Sequence, residues 1–325
     1  MNATITGCGV AIPEGRLTNA DLEARLETDD AWIVERTGIR ERRIAGPGES
    51  TASLAITAGQ AAIADAGLTA DDIGLVIVAT ATPEQPIPAT SAFVQDGLGV
   101  RGGAFDVGAA CAGFVYALVV AASLVESGVE HAVVVGSETL SRVVDPDDRA
   151  TAVLFGDGAA AAVVSRAPAG RGLLAWDVGC DGSLASLVEV PAGGSRLPTS
   201  AATVADGRHW LRMEGPELFR QAVRAVVDTA SAVLARAEAG AADVDLFVPH
   251  QANARIIAAA ASRLGIPPER TMLNVDRFGN TSAASIPLAL AEAAGDGRLS
   301  DGDLVLLAGF GAGMTWASAL LRWGA

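Results

Sequence analysis

The sequence predicts an α/β chain in which one arrangement of strands and helices is used twice, with helices covering sheets on both faces. Three observations carry that expectation. Strand/helix units recur in the same order about 170 residues apart. Strand-like runs alternate with helix-period stretches, the pattern of crossover-linked parallel sheets. Residues 107–125 carry no charge at all, which suits a helix enclosed on every side.

Taken in order, the first unit is the helix-period stretch 53–67, which leads through Asp71 and Asp72 into the apolar run 73–79. Its counterpart is the helical stretch 216–239, then Asp243 and the run 244–250. In the second unit, 104–107 enters a turn of small residues and a helix beginning near Cys111. The strand expected at 272–275, a Gly-Asn-Thr-Ser turn and a helix beginning near Ser282 repeat it. The third unit is the apolar strand 132–136, echoed by 304–309. The natural division is a half spanning 1–170 that carries Cys111 and a half spanning 171–325 that carries His250 and Asn280.

Composition limits the chemistry. Half of the 325 residues are hydrophobic but only 4% are aromatic, so the core is built from small and aliphatic side chains that let elements pack closely. A mean hydropathy of +0.36 excludes a disordered chain. The net charge is −15, which argues against nucleic acid as a partner. All 23 basic residues are arginine. Without lysine, Schiff-base, pyridoxal-phosphate and P-loop chemistry are excluded. Cys8, Cys111 and Cys180 lie far apart, which fits neither a disulfide framework nor a metal site and suits a reducing cytoplasm. The first residues lack the basic and apolar regions of a secretory leader. Asp106 and Glu126 flank the uncharged stretch, where a membrane span would have Lys or Arg. A soluble, membrane-free protein is the expectation.

In a duplicated α/β chain, chemistry belongs where strand ends from both halves converge. Cys111 follows a strand in Asp-Val-Gly-Ala-Ala-Cys-Ala-Gly-Phe (106–114). It reads either as a small buried hydrophobe or as a nucleophile whose thiolate a helix N-terminus favours. A helix end contributes roughly 0.3–1 kcal/mol, up to ~2 when partly buried. A free thiol near pKa 8.5 is only a few per cent thiolate at neutral pH, so a neighbouring imidazole would have to supply the rest. Of the three histidines, His131 and His209 read as surface or binding residues, whereas His250 ends a strand beside Pro249. Asn280 is either a turn residue or a functional amide. Gly-Phe-Gly-Ala-Gly (309–313) fits backbone N–H groups aimed into a site better than a phosphate cradle. Arg36, Arg40, Arg42 and Arg43 cluster in a segment that reads equally as a solvated turn.

Together these motifs resemble β-ketoacyl-ACP synthase III, the initiating condensing enzyme of bacterial fatty-acid synthesis. Thr-Asn-Ala-Asp (18–21), Trp-Ile-Val-Glu-Arg-Thr-Gly-Ile-Arg (32–40), Phe-Gly-Asp-Gly (155–158) and Gly-Ala-Gly-Met-Thr-Trp (311–316) extend the resemblance over essentially the whole chain. It implies the thiolase fold, five αβαβα layers from two duplicated halves, and a homodimer. By resemblance, Cys111 takes the acyl group from acyl-CoA. His250 and Asn280 stabilise the enolate formed when malonyl-ACP decarboxylates, and the backbone N–H groups of Cys111 and Ala312 form the oxyanion hole. No metal, nicotinamide or flavin cofactor is implied; acyl-CoA and the malonyl-acyl carrier protein are substrates.

The resemblance further implies CoA contacts at Trp32, Arg36, Arg149 and Asn253, and an ACP-docking arginine at Arg255. Because an acidic carrier protein would be repelled by a chain of net charge −15, Arg208, Arg212, Arg220 and Arg224 are the expected companions of Arg255 in a local basic patch. The resemblance also places Leu140, Phe155 and Met314 around the acyl chain, with Ile87 closing the partner subunit's pocket. Ile87 stands where acetyl-specific members carry an aromatic, which implies a roomier pocket. Pro216 replaces a commonly polar residue at the CoA mouth, and Ala312 replaces the middle glycine of a Gly-Gly-Gly turn, where a backbone N–H survives. Two further readings share the scaffold: a polyketide starter-unit ketosynthase or acyltransferase, and a non-catalytic acyl-binding partner subunit. The complete Cys–His–Asn set favours decarboxylative condensation.

Overall fold

Two sheets organise the molecule, a computed structural model that describes residues 3–324. Strands β1 (Ala3–Ala11), β2 (Leu75–Ala79), β3 (Gly103–Val107), β4 (His131–Thr139) and β5 (Asp157–Arg166) form the first, in the order β1-β5-β4-β2-β3. Strands β6 (Gly172–Cys180), β7 (Leu246–Pro249), β8 (Leu304–Gly311) and β9 (Thr315–Arg322) form the second, in the order β7-β8-β9-β6.

The expectation of purely parallel sheets is corrected, because each sheet is mixed. Strands β2, β3 and β4 are mutually parallel, as are β7 and β8, since helices cross over between them. The pairs β4/β5, β1/β5, β8/β9 and β6/β9 are antiparallel. At β8/β9 the chain reverses within three residues, too few for any crossover helix.

Seven helices matter for the site: α1 (Asp30–Thr37), α2 (Thr51–Asp65), α3 (Thr90–Leu98), α4 (Gly113–Glu126), α5 (Gly215–Arg236), α6 (Ala254–Leu264) and α7 (Ser285–Gly295). Local sequence sets their ends. Ser50 caps α2 by accepting from Ser53 N–H, Pro216 sits in the first turn of α5 where its missing N–H costs nothing, and Gly265 closes α6 in a left-handed conformation. Helices α2 and α3 cover the outer face of the first sheet, and α5 covers the second with α6 beside it. Helices α4 and α7 lie between the sheets and touch both. The layers are therefore αβαβα. The uncharged stretch from 107 onward becomes β3's end and α4, whose Phe114, Val115, Ala117, Ala121 and Val125 are fully buried. Among the described residues, no helix is long and apolar enough to cross a membrane.

Two expected elements differ. Residues 272–275 do not form a strand; one bridge between Phe247 and Thr271 and the bond from Met272 N–H to Phe247 O are all that remain of it. The Asn274 N–H is taken by the Gln251 side chain and its amide by Glu292, which turns the backbone into the short helix Val275–Phe278. The central helices also begin two or three residues later than expected. Cys111 and Ser282 sit in the 3₁₀ turns Ala110–Ala112 and Ser282–Ala284 that precede α4 and α7.

Candidate active site

The two 3₁₀ turns meet between the sheets, and each contains a non-glycine residue with positive φ: Ala110 at 44° and Ser282 at 46°. Backbone strain of this kind persists only where surrounding structure over-determines it. The turn at Cys111 packs against β8, where an added Cβ on Gly311 would come within 2.6 Å of the Cys111 nitrogen. Only glycine permits that approach. Thr315 Oγ1 lies 2.9 Å from Ala109 O and 3.2 Å from Ala312 O, its one proton shared between the two carbonyls, which ties the turn to the loop after β8. The backbone of Cys111 and that of Ala312 are thereby held at one cavity, the arrangement an oxyanion hole requires.

Cys111 keeps some surface open to the cavity, yet protein encloses its sulfur closely. Burial pushes the thiol up to about 12, and the Glu138 charge pushes in the same direction. Burial thus opposes the thiolate that a helix end would favour. The Cys111 S–H donates to Ser282 Oγ at 3.3 Å. Cys8, by contrast, is buried against Asp65, and Cys180 is exposed.

His250 follows β7, its N–H donating to Ala308 O at 2.8 Å and its ring packed edge-on against Phe310 at 5.3 Å. Its Nδ1 lies 2.5 Å from Ser285 Oγ, which also accepts the Gln251 N–H at 3.2 Å. Ser285 is buried, and Nδ1 is the partner available for its hydroxyl proton. That assignment makes Nδ1 the acceptor and puts the ring proton on Nε2, the nitrogen left for the cavity. Burial pushes the imidazole down to about 3, so it stays neutral. Asn280 is oriented the same way. Its Oδ1 accepts the Ser282 N–H at 2.9 Å, which leaves the amide NH₂ as a donor. Two N–H donors and one thiol thus share a pocket whose other walls are almost wholly apolar.

That cavity, about 200 Å³, is lined by Cys111, His250, Asn280 and Ala312 and, on its apolar side, by Leu140 and Phe155. Met314 does not line it, which corrects the sequence expectation. The Met314 backbone pairs in both directions with Asp181, and its side chain turns into the apolar core beneath α5, next to a separate depression. Ile87 is 84% exposed and away from this cavity.

At the mouth, the Arg36 and Arg149 guanidiniums lie over the Trp32 ring at 4.8 and 4.9 Å. Asn253 lines the cavity too, but its amide is engaged at both ends: it caps α6 through Arg255 N–H and donates to Arg36 O. Pro216 stands in the first turn of α5, and the adjacent Gly215 lines the cavity. Arg255 is exposed, 5.8 Å from the Phe219 ring. Arg208, Arg220 and Arg224 each pair with a nearby acid, Asp206, Glu217 and Asp228, which lowers the net charge of the patch; Arg212 is exposed. His131 and His209 bond Ser165 and Thr203, away from the cavity. Sequence reasoning passed over Ser282, Ser285 and Glu138. The one legible signal was Glu138, a carboxylate near the end of a strand whose middle, Ala132–Gly136, is wholly apolar. Among the described residues, no cluster of His, Cys, Asp or Glu could hold a metal.

Comparison with known proteins places this geometry. Residues 105–182 match the family model for 3-oxoacyl-[acyl-carrier-protein (ACP)] synthase III, and residues 234–323 match the model of its C-terminal part. The chain is 50% identical to a β-ketoacyl-[acyl-carrier-protein] synthase III of Symbiobacterium thermophilum, covering 98% of each chain. It is 52% identical to one of Roseiflexus castenholzii, over 99% of this chain and 98% of that one. The solved synthase III of Thermus thermophilus superposes with a TM-score of 0.93 at 47% identity, with 99% of both chains covered. The priming β-ketosynthase of the R1128 polyketide pathway superposes at 0.90 with 36% identity, over 98% of this chain and 96% of that one.

Proposed function

The chain belongs to the 3-oxoacyl-[acyl-carrier-protein] synthase III family of condensing acyltransferases, and from that premise we propose how its residues carry the reaction. The enzyme takes an acyl group from acyl-CoA and condenses it with malonyl-ACP to a β-ketoacyl-ACP. Cys111 attacks the acyl-CoA thioester and CoA leaves, the first half of a ping-pong sequence. Malonyl-ACP then binds and loses carbon dioxide. His250 Nε2–H and the Asn280 NH₂ donate to its thioester oxygen as the enolate forms, and the enolate carbon attacks the acyl-Cys111 carbonyl. The N–H groups of Cys111 and Ala312 hold the tetrahedral oxyanion, each worth about 3 kcal/mol in sites of this kind.

One observation carries this reading: a single, nearly apolar cavity into which both halves of the chain deliver one thiol and two oriented N–H donors. No cofactor is needed, because the thioester substrates bring the activation themselves. Trp32, Arg36 and Arg149 receive the nucleotide of CoA, Asn253 supports the mouth, and Arg255 meets the acidic carrier protein. Leu140 and Phe155 bound the acyl chain. The loop bearing Ile87 closes the pocket of a second copy in a homodimer, which accounts for so large an apolar side chain lying exposed in one chain. We read the chain as two functional halves, 1–170 and 171–325, in a cytoplasmic enzyme.

The test is intact mass with peptide mapping after incubation with acetyl-, propionyl-, butyryl-, isobutyryl- and isovaleryl-CoA in one pot. An acyl adduct on Cys111, discharged by malonyl-ACP, is the expected result, and the dominant adduct names the starter. No adduct from any ester overturns the acyl-CoA step. The similarity to the R1128 priming enzyme keeps a polyketide-starter role in view.

A further inference from the structure

Arg42 is the one arginine among the described residues that is wholly buried, while nearby Arg40 and Arg43 reach solvent. It stands in the short strand Glu41–Ile44 and does not line the cavity. Burial pushes its guanidinium down to about 10 and the Asp30 charge opposes that shift, so it remains a cation. A buried charge costs stability, and an apolar side chain of similar volume fills such a space at least as well. What a guanidinium adds is direction, through a planar fork of donors.

Those donors are used on two sides. Nε donates to Val153 O at 3.1 Å, and Nη2 donates to the same oxygen. Nη1 donates to Asn19 Oδ1 at 2.5 Å. The Asn19 amide in turn donates to Asp30 Oδ1 at 2.7 Å and to Ile39 O at 2.9 Å, at the start of α1 and just beyond its end. Helix α1 carries Trp32 and Arg36 of the mouth.

The residues that follow Val153 hold Asn280. Leu154 O accepts the Asn280 N–H at 2.9 Å, and the Gly156 N–H donates to Asn280 O at 3.0 Å, so the backbone of Asn280 is clamped along 154–156. Between them, Leu154 and Phe155 also line the cavity. The arginine stem packs against the other side of the clamp. Gly279 has φ of 66°, and an added Cβ there would come within 2.9 Å of Arg42 Cγ. Neither the Asn280 backbone nor the segment it pairs with can therefore shift without moving Arg42.

We propose that Arg42 is a positioning residue for the Asn280 amide: its fork on Val153 O sets the segment that clamps Asn280, and its bond to Asn19 ties that segment to the helix at the mouth. Arg42 touches neither the substrate nor the reacting atoms and acts through Asn280, so the proposal rests on the reading above.

The experiment measures both half-reactions by quenched intact mass: decarboxylation of malonyl-ACP without acyl-CoA, and single-turnover acylation of Cys111 at saturating acyl-CoA. Arg42→Met keeps an unbranched stem and removes the fork. It should lower the decarboxylation kcat about tenfold with KM for malonyl-ACP unchanged, on the scale by which a group misplaced from a distance costs rate. Acylation should stay close to the wild-type rate, because Gly311 and Thr315 set the turn at Cys111. The decisive readout is the double variant. In Asn280→Ala, whose residual decarboxylation is followed at high enzyme concentration, adding Arg42→Met should change nothing further, because the group it positions is gone. A merely structural role would multiply the two losses. Arg42→Lys keeps the charge but reaches only one of the two oxygens, and should show the same pattern in weaker form. Should circular dichroism show that the methionine variant does not fold, the cycle is run with lysine. Decarboxylation at the wild-type rate, losses that multiply in the double variant, or an equal fall in both half-reactions overturns the proposal. An Asn280→Ala enzyme that decarboxylates at the wild-type rate refutes the parent reading instead.

Discussion

The turns Ala110–Ala112 and Ser282–Ala284 are built on one plan and used for different purposes. Each contains one residue at φ near +45°, each feeds a central helix, and each rests on a strand of the other half through a glycine. An added Cβ on Gly136 of β4 would come within 2.2 Å of Ala283 O, and one on Gly309 of β8 within 3.3 Å of Ala112 Cα and Cys111 O. The chemistry lies where the two copies part. Cys111 faces Ala283 in the alignment of the turns, and Ser282 faces Ala110. Two residues beyond the paired glycines, β4 carries the buried Glu138 and β8 carries Gly311. The duplication supplies a matched pair of strained turns; their unmatched side chains turn one into a nucleophile and the other into its electrostatic setting.

The largest test of that difference places one methyl group in each copy. In Gly311→Ala the new Cβ meets the Cys111 nitrogen and displaces an oxyanion donor, so acylation should fall about 10²–10³-fold. In Gly136→Ala the collision falls on the backbone that carries Asn280 and Ser282. Overpacking against backbone costs about 1–3 kcal/mol, and malonyl-ACP decarboxylation should fall by a comparable five- to hundredfold. Measuring both half-reactions in both variants breaks the comparison if each variant harms the two halves equally.

This asymmetry also explains what the sequence disclosed. Element order, the two halves and the buried character of α4 follow from periodicity and from the absence of charge, which are local properties. Cys111, His250 and Asn280 stood out because each punctuates a strand end. Ser285 and Glu138 act only through partners 35 and 145 residues away, His250 and Ala283 among them, and no local pattern encodes such a contact. The strand expected at 272–275 failed for a related reason: Gln251 and Glu292 claim the polar groups of Asn274 that a ladder would use. Met314 was misplaced because its motif fixes the chain position but not the face to which the side chain turns.

Smaller effects sharpen the division between the setting and the mouth. Ser285→Ala removes the hydroxyl that holds the proton on His250 Nε2. The loss of one hydrogen bond, about 1 kcal/mol, should slow decarboxylation roughly fivefold and leave acylation near wild type. At the mouth, Arg36→Ala removes one of the two guanidiniums over Trp32. An exposed cation–π contact is worth about 0.5–1 kcal/mol, so KM for acyl-CoA should rise two- to fivefold with kcat unchanged. Steady-state kinetics with each substrate varied in turn separates the two effects.

The smallest expected effect is a flat line. Burial pushes the His250 pKa down to about 3 because the charged imidazolium cannot be solvated beside Phe310. Decarboxylation by the Cys111→Ala variant, which removes the thiol's own titration, should therefore show no inflection near pH 6.5. The same shift sets the direction of acid sensitivity. A histidine held below its unfolded value contributes stability that is fully present above pH 6.5 and is lost as the pH falls toward 3. Activity loss in acid should thus follow unfolding, measured by circular dichroism on the same samples, and not precede it. An inflection near 6.5 in a fully folded enzyme would mean that His250 exchanges protons during the reaction. It would then be able to take the Cys111 proton itself, and the two turns would no longer divide the work between a nucleophile and a fixed set of donors.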